Sequence, residues 1–268
     1  GDVDGDGLAD LLVGAYSSDD GGSGAGKAYL ILGASLGSSS TIELSAADYS
    51  FVGENEGDRA GKQVSSAGDV DGDGLDDILV SAYFFGGDYD HKGKVYLILG
   101  ASLGSSSTID LSAADYSFVG ESGGDCAGIS ASSAGDVDGD GLADLLVGAY
   151  GNGDGGPNAG KVYLVLGASL GSSSTIDLSA ADYSFVGENN WDYAGRSVSS
   201  AGDVDGDGLD DILVGAHRND EGGGDSTSAG KAYLILGASL GSSSTIDLSA
   251  ADYGFVGEIG PDYAGSSV

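Results

Sequence analysis

The stretch GDVDGDGLDDILVSAY, Gly68 to Tyr83, carries two different signals in sixteen residues. Its first half sets Asp at alternate positions among glycines; its second half, LDDILVSAY, is a short apolar, β-branched run. Alternate side chains converge when such a loop wraps, and the Gly after the third Asp lets the backbone turn tightly. An apolar run of this length bounded by turn residues predicts a β-strand. The segment therefore reads as a carboxylate loop that feeds a strand.

The same string, GDVDGDGL, begins at Gly1, Gly68, Gly135 and Gly202, 67 residues apart each time. A second string, ASLGSSSTI followed by Glu or Asp and LSAADY, begins at Ala34, Ala101, Ala168 and Ala238. Its last interval is three residues longer because the loop after His217 carries an insertion. A fixed period of this kind is the mark of a repeat architecture. Four repeats, 1–67, 68–134, 135–201 and 202–268, fill one repeat domain spanning residues 1–268.

Each repeat predicts four strands, which in the second are 60–67, 75–83, 94–99 and 116–120. No stretch has sustained helical periodicity; a single turn at LSAAD, where Ser and Asp can cap each other, is the exception. Four short antiparallel strands per unit, repeated, predict an all-β fold: a β-propeller of four-stranded antiparallel blades.

Every repeat holds the pattern D-x-D-x-D-G-x-x-D. The carboxylates are Asp2, Asp4, Asp6 and Asp10; Asp69, Asp71, Asp73 and Asp77; Asp136, Asp138, Asp140 and Asp144; Asp203, Asp205, Asp207 and Asp211. A hairpin has no need of four carboxylates, which would repel at ~4–6 Å without a cation. Hard oxygen donors without His or Cys point to Ca2+, about one per repeat. By analogy with related loops, Leu8, Leu75, Leu142 and Leu209 would add a backbone carbonyl. The twelfth position is Val13, Val80, Val147 or Val214 and a strand follows, so these are not EF-hands.

The repeats resemble FG-GAP repeats, the blades of the integrin α-subunit head and of many secreted bacterial proteins. The "GAP" half stands at Gly14-Ala15-Tyr16, Ser81-Ala82-Tyr83, Gly148-Ala149-Tyr150 and Gly215-Ala216-His217, with Tyr or His in place of Pro. The "FG" half stands at Ala60-Gly61, Ala127-Gly128, Ala194-Gly195 and Ala264-Gly265, with Ala in place of Phe. The resemblance covers the whole chain and implies a calcium-stabilised extracellular or cell-surface module for adhesion or structure. It also allows the propeller portion of a secreted hydrolase. Such propellers usually close with seven blades. With four repeats, one expectation is that the C-terminal segment pairs beside Leu8 to Tyr16 and closes a four-bladed ring. The alternatives are a longer array or two chains combined.

The 268 residues include 43 acidic against 9 basic side chains, a formal net charge of -34. This charge disfavours nucleic acid and anionic lipid as partners. Apolar runs such as Tyr96 to Leu99 are too short for membrane insertion. Partners are expected to be an extracellular protein or glycan, or copies of the chain itself.

Alternating strand directions put the Asp loops and the ASLGSSSTI segments on one face, and the remaining connections on the other. The first face is nearly identical among the copies, whereas the second varies, as in ENEGDR, ESGGDC, ENNWDY and EIGPDY. Loops on a rigid scaffold are where recognition usually sits, so Phe84, Phe85, Tyr89, Trp191, Tyr193 and Tyr263 are candidates for stacking on a ligand. Cys126, at a position held elsewhere by Arg59, Tyr193 and Tyr263, is expected near the surface as an inert thiol, and His91 and His217 as surface residues. Gly33-Ala34-Ser35-Leu36-Gly37 fits G-x-S-x-G, but no helix follows it and two His cannot serve four such serines. No catalytic site is expected.

Overall fold

Apolar runs between Gly and Asp clusters become eighteen short strands in the computed structural model, which describes residues 1–37, 40–87, 90–221 and 228–268. The first repeat supplies β1 (Leu11–Ala15), β2 (Lys27–Ile31) and β3 (Tyr49–Val52). Next come β4 (Val64–Gly68), β5 (Asp77–Ala82), β6 (Lys94–Ile98), β7 (Thr108–Asp110) and β8 (Tyr116–Val119). They are followed by β9 (Ser130–Gly135), β10 (Asp144–Ala149), β11 (Lys161–Val165), β12 (Thr175–Asp177) and β13 (Tyr183–Val186). The last are β14 (Ser197–Gly202), β15 (Asp211–Ala216), β16 (Lys231–Ile235), β17 (Thr245–Asp247) and β18 (Tyr253–Val256). Among the described residues no helix is long and apolar enough to cross a membrane.

Four sheets result. The two inner ones order their strands β4-β5-β6-β8 and β9-β10-β11-β13, antiparallel throughout, as the sequence predicts for a propeller blade. Each also gains a fifth strand from a segment whose sequence predicts a loop. Thr175–Asp177, from the next repeat, runs parallel to the outer strand with Thr175 opposite Ser117 and Ile176 opposite Phe118. The Ser117 N–H donates to Ser174 O at 2.8 Å just ahead of this ladder. Three residues are too few to show a period, so the strand exists through its partner and not through its own pattern. The LSAAD turn is a short 3-10 helix, Leu111–Ala113, whose first N–H groups are capped by Asp110 accepting from Ser112 N.

The core lies between blades. Phe118 and Leu79 of one blade meet Leu145 and Tyr163 of the next in a single cluster, and corresponding clusters fill the other two joints. Every residue of β5 and β10 is buried, so each sheet is covered on both faces. Burying one Phe such as Phe118 contributes about 1.5–3 kcal/mol. Ion pairs also cross the joints. Lys94 reaches Glu54 of the preceding blade at 2.7 Å, Lys161 reaches Glu121 at 2.7 Å and Lys231 reaches Glu188 at 2.8 Å.

The four blades do not close into a ring. Among the described residues β1 pairs with β2 alone, and residues 264–268 form no strand. The C-terminal segment instead lies against the fourth blade, where Ser197 Oγ donates to Gly265 O at 2.9 Å, so it cannot pair beside β1. Val13 and Phe255 are 37% and 54% exposed, whereas their counterparts Val80 and Phe118 are fully buried.

If the fifth strand pins the rim, Ile176→Pro is expected to speed hydrogen exchange at the Ser117 amide while the β4–β5 amides stay protected. Unchanged exchange at Ser117 would show that the added strand contributes nothing.

Candidate metal centres and the loop face

In the second repeat the Asp loop is wound around its own carboxylates. Asp69 Oδ1 accepts from Gly72 N at 2.7 Å and Asp73 N at 3.1 Å, and Oδ2 from Gly74 N at 2.9 Å. Gly72 and Gly74 sit at φ 78° and 89°, in the left-handed region that lets the loop curl. Asp77 is fully buried at the start of β5. Its two oxygens accept from Val70 N and Gly100 N, both at 2.9 Å, which ties the loop to the end of the β6 strand. Burial pushes its carboxyl up to about 6, as it does that of Asp144.

Four groups of carboxylates converge: Asp2, Asp4 and Asp6; Asp69, Asp71 and Asp77; Asp136, Asp138 and Asp144; Asp203, Asp205 and Asp211. Within each, one oxygen per residue lies within 4.8 Å of the others. Oxygens bound to one Ca2+ at 2.3–2.6 Å are at most about 5 Å apart, so the spacing and the all-oxygen donor set fit a hard divalent ion. Asp10 stands outside the first group, and Asp73, Asp140 and Asp207 outside the other three. The side-chain oxygens of these last three instead accept from the Leu75, Leu142 and Leu209 amides at 2.8, 2.8 and 2.9 Å. The leucine side chains pack over the preceding loop, Leu75 above Gly5 and Leu142 above Gly72. Successive loops are also joined through their backbones, Asp76 N to Asp2 O, Ala143 N to Asp69 O and Asp210 N to Asp136 O, each 2.9 Å.

The serines of the G-x-S-x-G strings have a structural occupation. Ser35, Ser102, Ser169 and Ser239 each donate to an Asp (Asp48, Asp115, Asp182 or Asp252) at 2.7 Å.

On the opposite face the two variable connections are stitched together. Phe84 N donates to Asp58 O and Arg218 N to Asp192 O, both at 3.3 Å. The connections hold a buried Asp that the sequence reading passed over. Asp125 accepts from Asn152 Nδ2 at 3.1 Å, and Asp192 from Asn219 Nδ2 at 2.7 Å. Its signal was available, since an Asp stands at the same place in all four connections (Asp58, Asp125, Asp192 and Asp262). Cys126 is buried, not near the surface. It contacts the Tyr150 hydroxyl, and burial pushes its thiol up.

Of the aromatic candidates, Phe84 and Tyr193 line one cavity of about 410 Å3 with Lys62, Tyr83, Ile129, Tyr150, Arg196, His217 and Arg218. Trp191, 53% exposed, stands 6.3 Å from the Tyr193 ring, and Tyr263 stands 6.2 Å from His217. Phe85 is elsewhere, packed against the joint of the first two blades beneath Lys94 Nζ at 4.8 Å. Tyr89 lies outside the described residues. His217 is no simple surface residue, because its Nδ1 is buried without a partner among the described residues. The cavity residues not expected from the sequence occupy three repeated positions: the residue that ends the second-strand run (Tyr83, Tyr150, His217), the one after it (Arg218, equivalent to Phe84) and the residue after Ala-Gly (Lys62, Ile129, Arg196). Comparing the copies at those positions would have singled them out.

The FG-GAP repeat profile matches residues 1–31, 60–98, 127–165 and 194–235. The chain is 30% identical over 183 residues to integrin alpha-PS2 of Drosophila melanogaster, covering 65% of this chain and 12% of that protein. It is 28% identical over 237 residues to integrin alpha pat-2 of Caenorhabditis elegans, 82% and 17% of the two. Against human integrin alpha-IIb it is 35% identical over 155 residues, 56% and 14%. The chain thus spans less than a fifth of the length of each of these relatives.

Asp77→Ala is expected to destabilise the protein even in EDTA, because two buried amides lose their acceptor at about 1–3 kcal/mol each. Asp71→Ala, in an exposed loop, is expected to change nothing in EDTA and to remove the added stability that calcium gives. Urea unfolding with and without calcium measures both, and equal behaviour of the two variants would refute this division of roles.

Proposed function

Because this chain belongs to the FG-GAP repeat family, whose repeats match more than half of it, we propose that it is a calcium-stabilised, noncatalytic extracellular module that presents variable loops for adhesion or assembly. The observation that supports this most is the set of four all-oxygen clusters at equivalent points, each at the root of a blade and joined to its neighbour's loop. An ion in each would draw together the loop, the start of the second strand and the adjacent blade. In the second and third repeats the ion would be held by Asp69, Asp71 and Asp77, and by Asp136, Asp138 and Asp144. The third Asp of each loop and the carbonyls of Leu75 and Leu142 would complete the shells. Calcium would supply cross-linking and charge neutralisation, with no chemical step.

Likeness to integrin alpha chains supports a place outside the cell and a protein or glycan partner, or further copies of the chain. The opposite face, where the copies differ, is the proposed recognition surface. The Ser–Asp hydrogen bonds of the G-x-S-x-G strings favour a structural over a hydrolytic use of those serines.

Calorimetry is expected to find four calcium ions per chain. EDTA is expected to lower Tm sharply and excess calcium to restore it, each filled site adding about 2.7 kcal/mol at a hundredfold excess over Kd. A melting curve indifferent to both reagents would overturn the assignment.

A further inference from the structure

The nine basic residues of this acidic chain are not spread evenly. Lys27, Lys94, Lys161 and Lys231 form every ion pair among the described residues, at equivalent positions of the four blades. Of the other five, Lys62, Arg196 and Arg218 line the cavity on the variable face, and Arg59 lies 5.1 Å over the ring of Phe84 beside it. Among the described residues no carboxylate lines this cavity, in a chain with 43 of them. Three cations that line one concave surface and form no ion pair among the described residues favour an anionic group there. Burial and the charges of Arg196 and Arg218 hold His217 below its ordinary value, and its buried Nδ1 has no partner among the described residues.

The walls narrow the chemistry. Tyr83, Phe84, Tyr150 and Tyr193 supply aromatic walls, and Ile129 is the one aliphatic residue among the described residues that line it. The volume, about 410 Å3, is within the usual span for small-ligand sites, ~300–1,000 Å3. An apolar peptide anchor would call for aliphatic lining, and a long polyanion would be repelled by the surrounding charge of -34. A sugar ring stacked on a tyrosine, with one acid group turned to the guanidinium forks, satisfies both walls and charge.

We propose that the cavity between Tyr83, Tyr150, Tyr193 and His217 binds a carboxylate-bearing sugar, a uronate, with Arg196 and Arg218 as its acid-recognising residues. This rests on the reading of the variable face as the recognition surface. Lys62 faces them from the second blade and takes the outer hydroxyls, and Trp191 at the rim extends the stacking surface to a neighbouring ring.

The test uses the full chain in calcium buffer, with far-UV circular dichroism as the check on folding. Isothermal titration compares a glucuronate-containing tetrasaccharide, its methyl ester and an Asp-rich tetrapeptide. The tetrasaccharide is expected to bind, its ester at least about tenfold more weakly, and the peptide not measurably. Arg196→Gln and Arg218→Gln are each expected to weaken binding about tenfold or more, the loss of a charge-assisted hydrogen bond. No binding by the folded chain, equal affinity for acid and ester, binding of the peptide alone, or unaltered binding by both variants would each overturn the proposal. The ester comparison uses the unaltered protein and so holds even if a variant fails to fold. Failure to bind sugar by a chain that calcium stabilises sinks this inference alone. A chain indifferent to calcium sinks the broader functional reading whatever it binds.

Discussion

A sheet whose middle strands are buried on both faces cannot be stable by itself. β5 exposes nothing on either side, and the aromatic rings that cover it belong in part to the adjacent blade. Each blade therefore borrows part of its core from its neighbours, and several further devices act at the joints where this borrowing occurs. The cross-blade Lys–Glu pairs, the backbone links between Asp loops and the parallel fifth strand are three separate means of fixing one blade against the next. Where no neighbour is present, at β1 and β18, the same side chains that fill the interior joints meet solvent.

The acidic composition has a division of labour within it. Asp77 and its equivalents are buried and serve as anchors, each holding two amides from different segments. Asp71 and its equivalents remain at the surface, where charge density is highest and a divalent ion would relieve it. The few cations divide in the same manner. Lys27, Lys94, Lys161 and Lys231 are taken up by ion pairs, and Lys62, Arg196 and Arg218 gather at the cavity on the variable face.

The repeat period, the Asp loops and the blade strands were legible because each is a local pattern, repeated until chance is excluded. Details were lost where a residue's role depends on a partner distant in the chain. Thr175–Asp177 is a strand on account of Ser117, and Asp192 is buried on account of Asn219. The counterparts of Cys126, which include Arg59, suggest a superficial position, yet its small side chain is buried in contact with the Tyr150 hydroxyl. Variation among copies identified the right face but ranked its aromatics poorly. Phe85 turned inward, while Tyr150 and His217, at a position that differs only slightly between copies, came to the cavity wall.

Because the added parallel strand of the first three sheets is contributed by the repeat that follows, the structural unit and the sequence repeat are offset. Any stretch one period long carries an outer strand awaiting a clasp and a clasp for whatever precedes it. Duplicating or deleting such a stretch therefore recreates a joint of the kind already present, wherever the cut falls. Unequal crossing-over can lengthen or shorten the array without a transitional form that fails to fit, which makes the number of blades far easier to change than the design of any one of them.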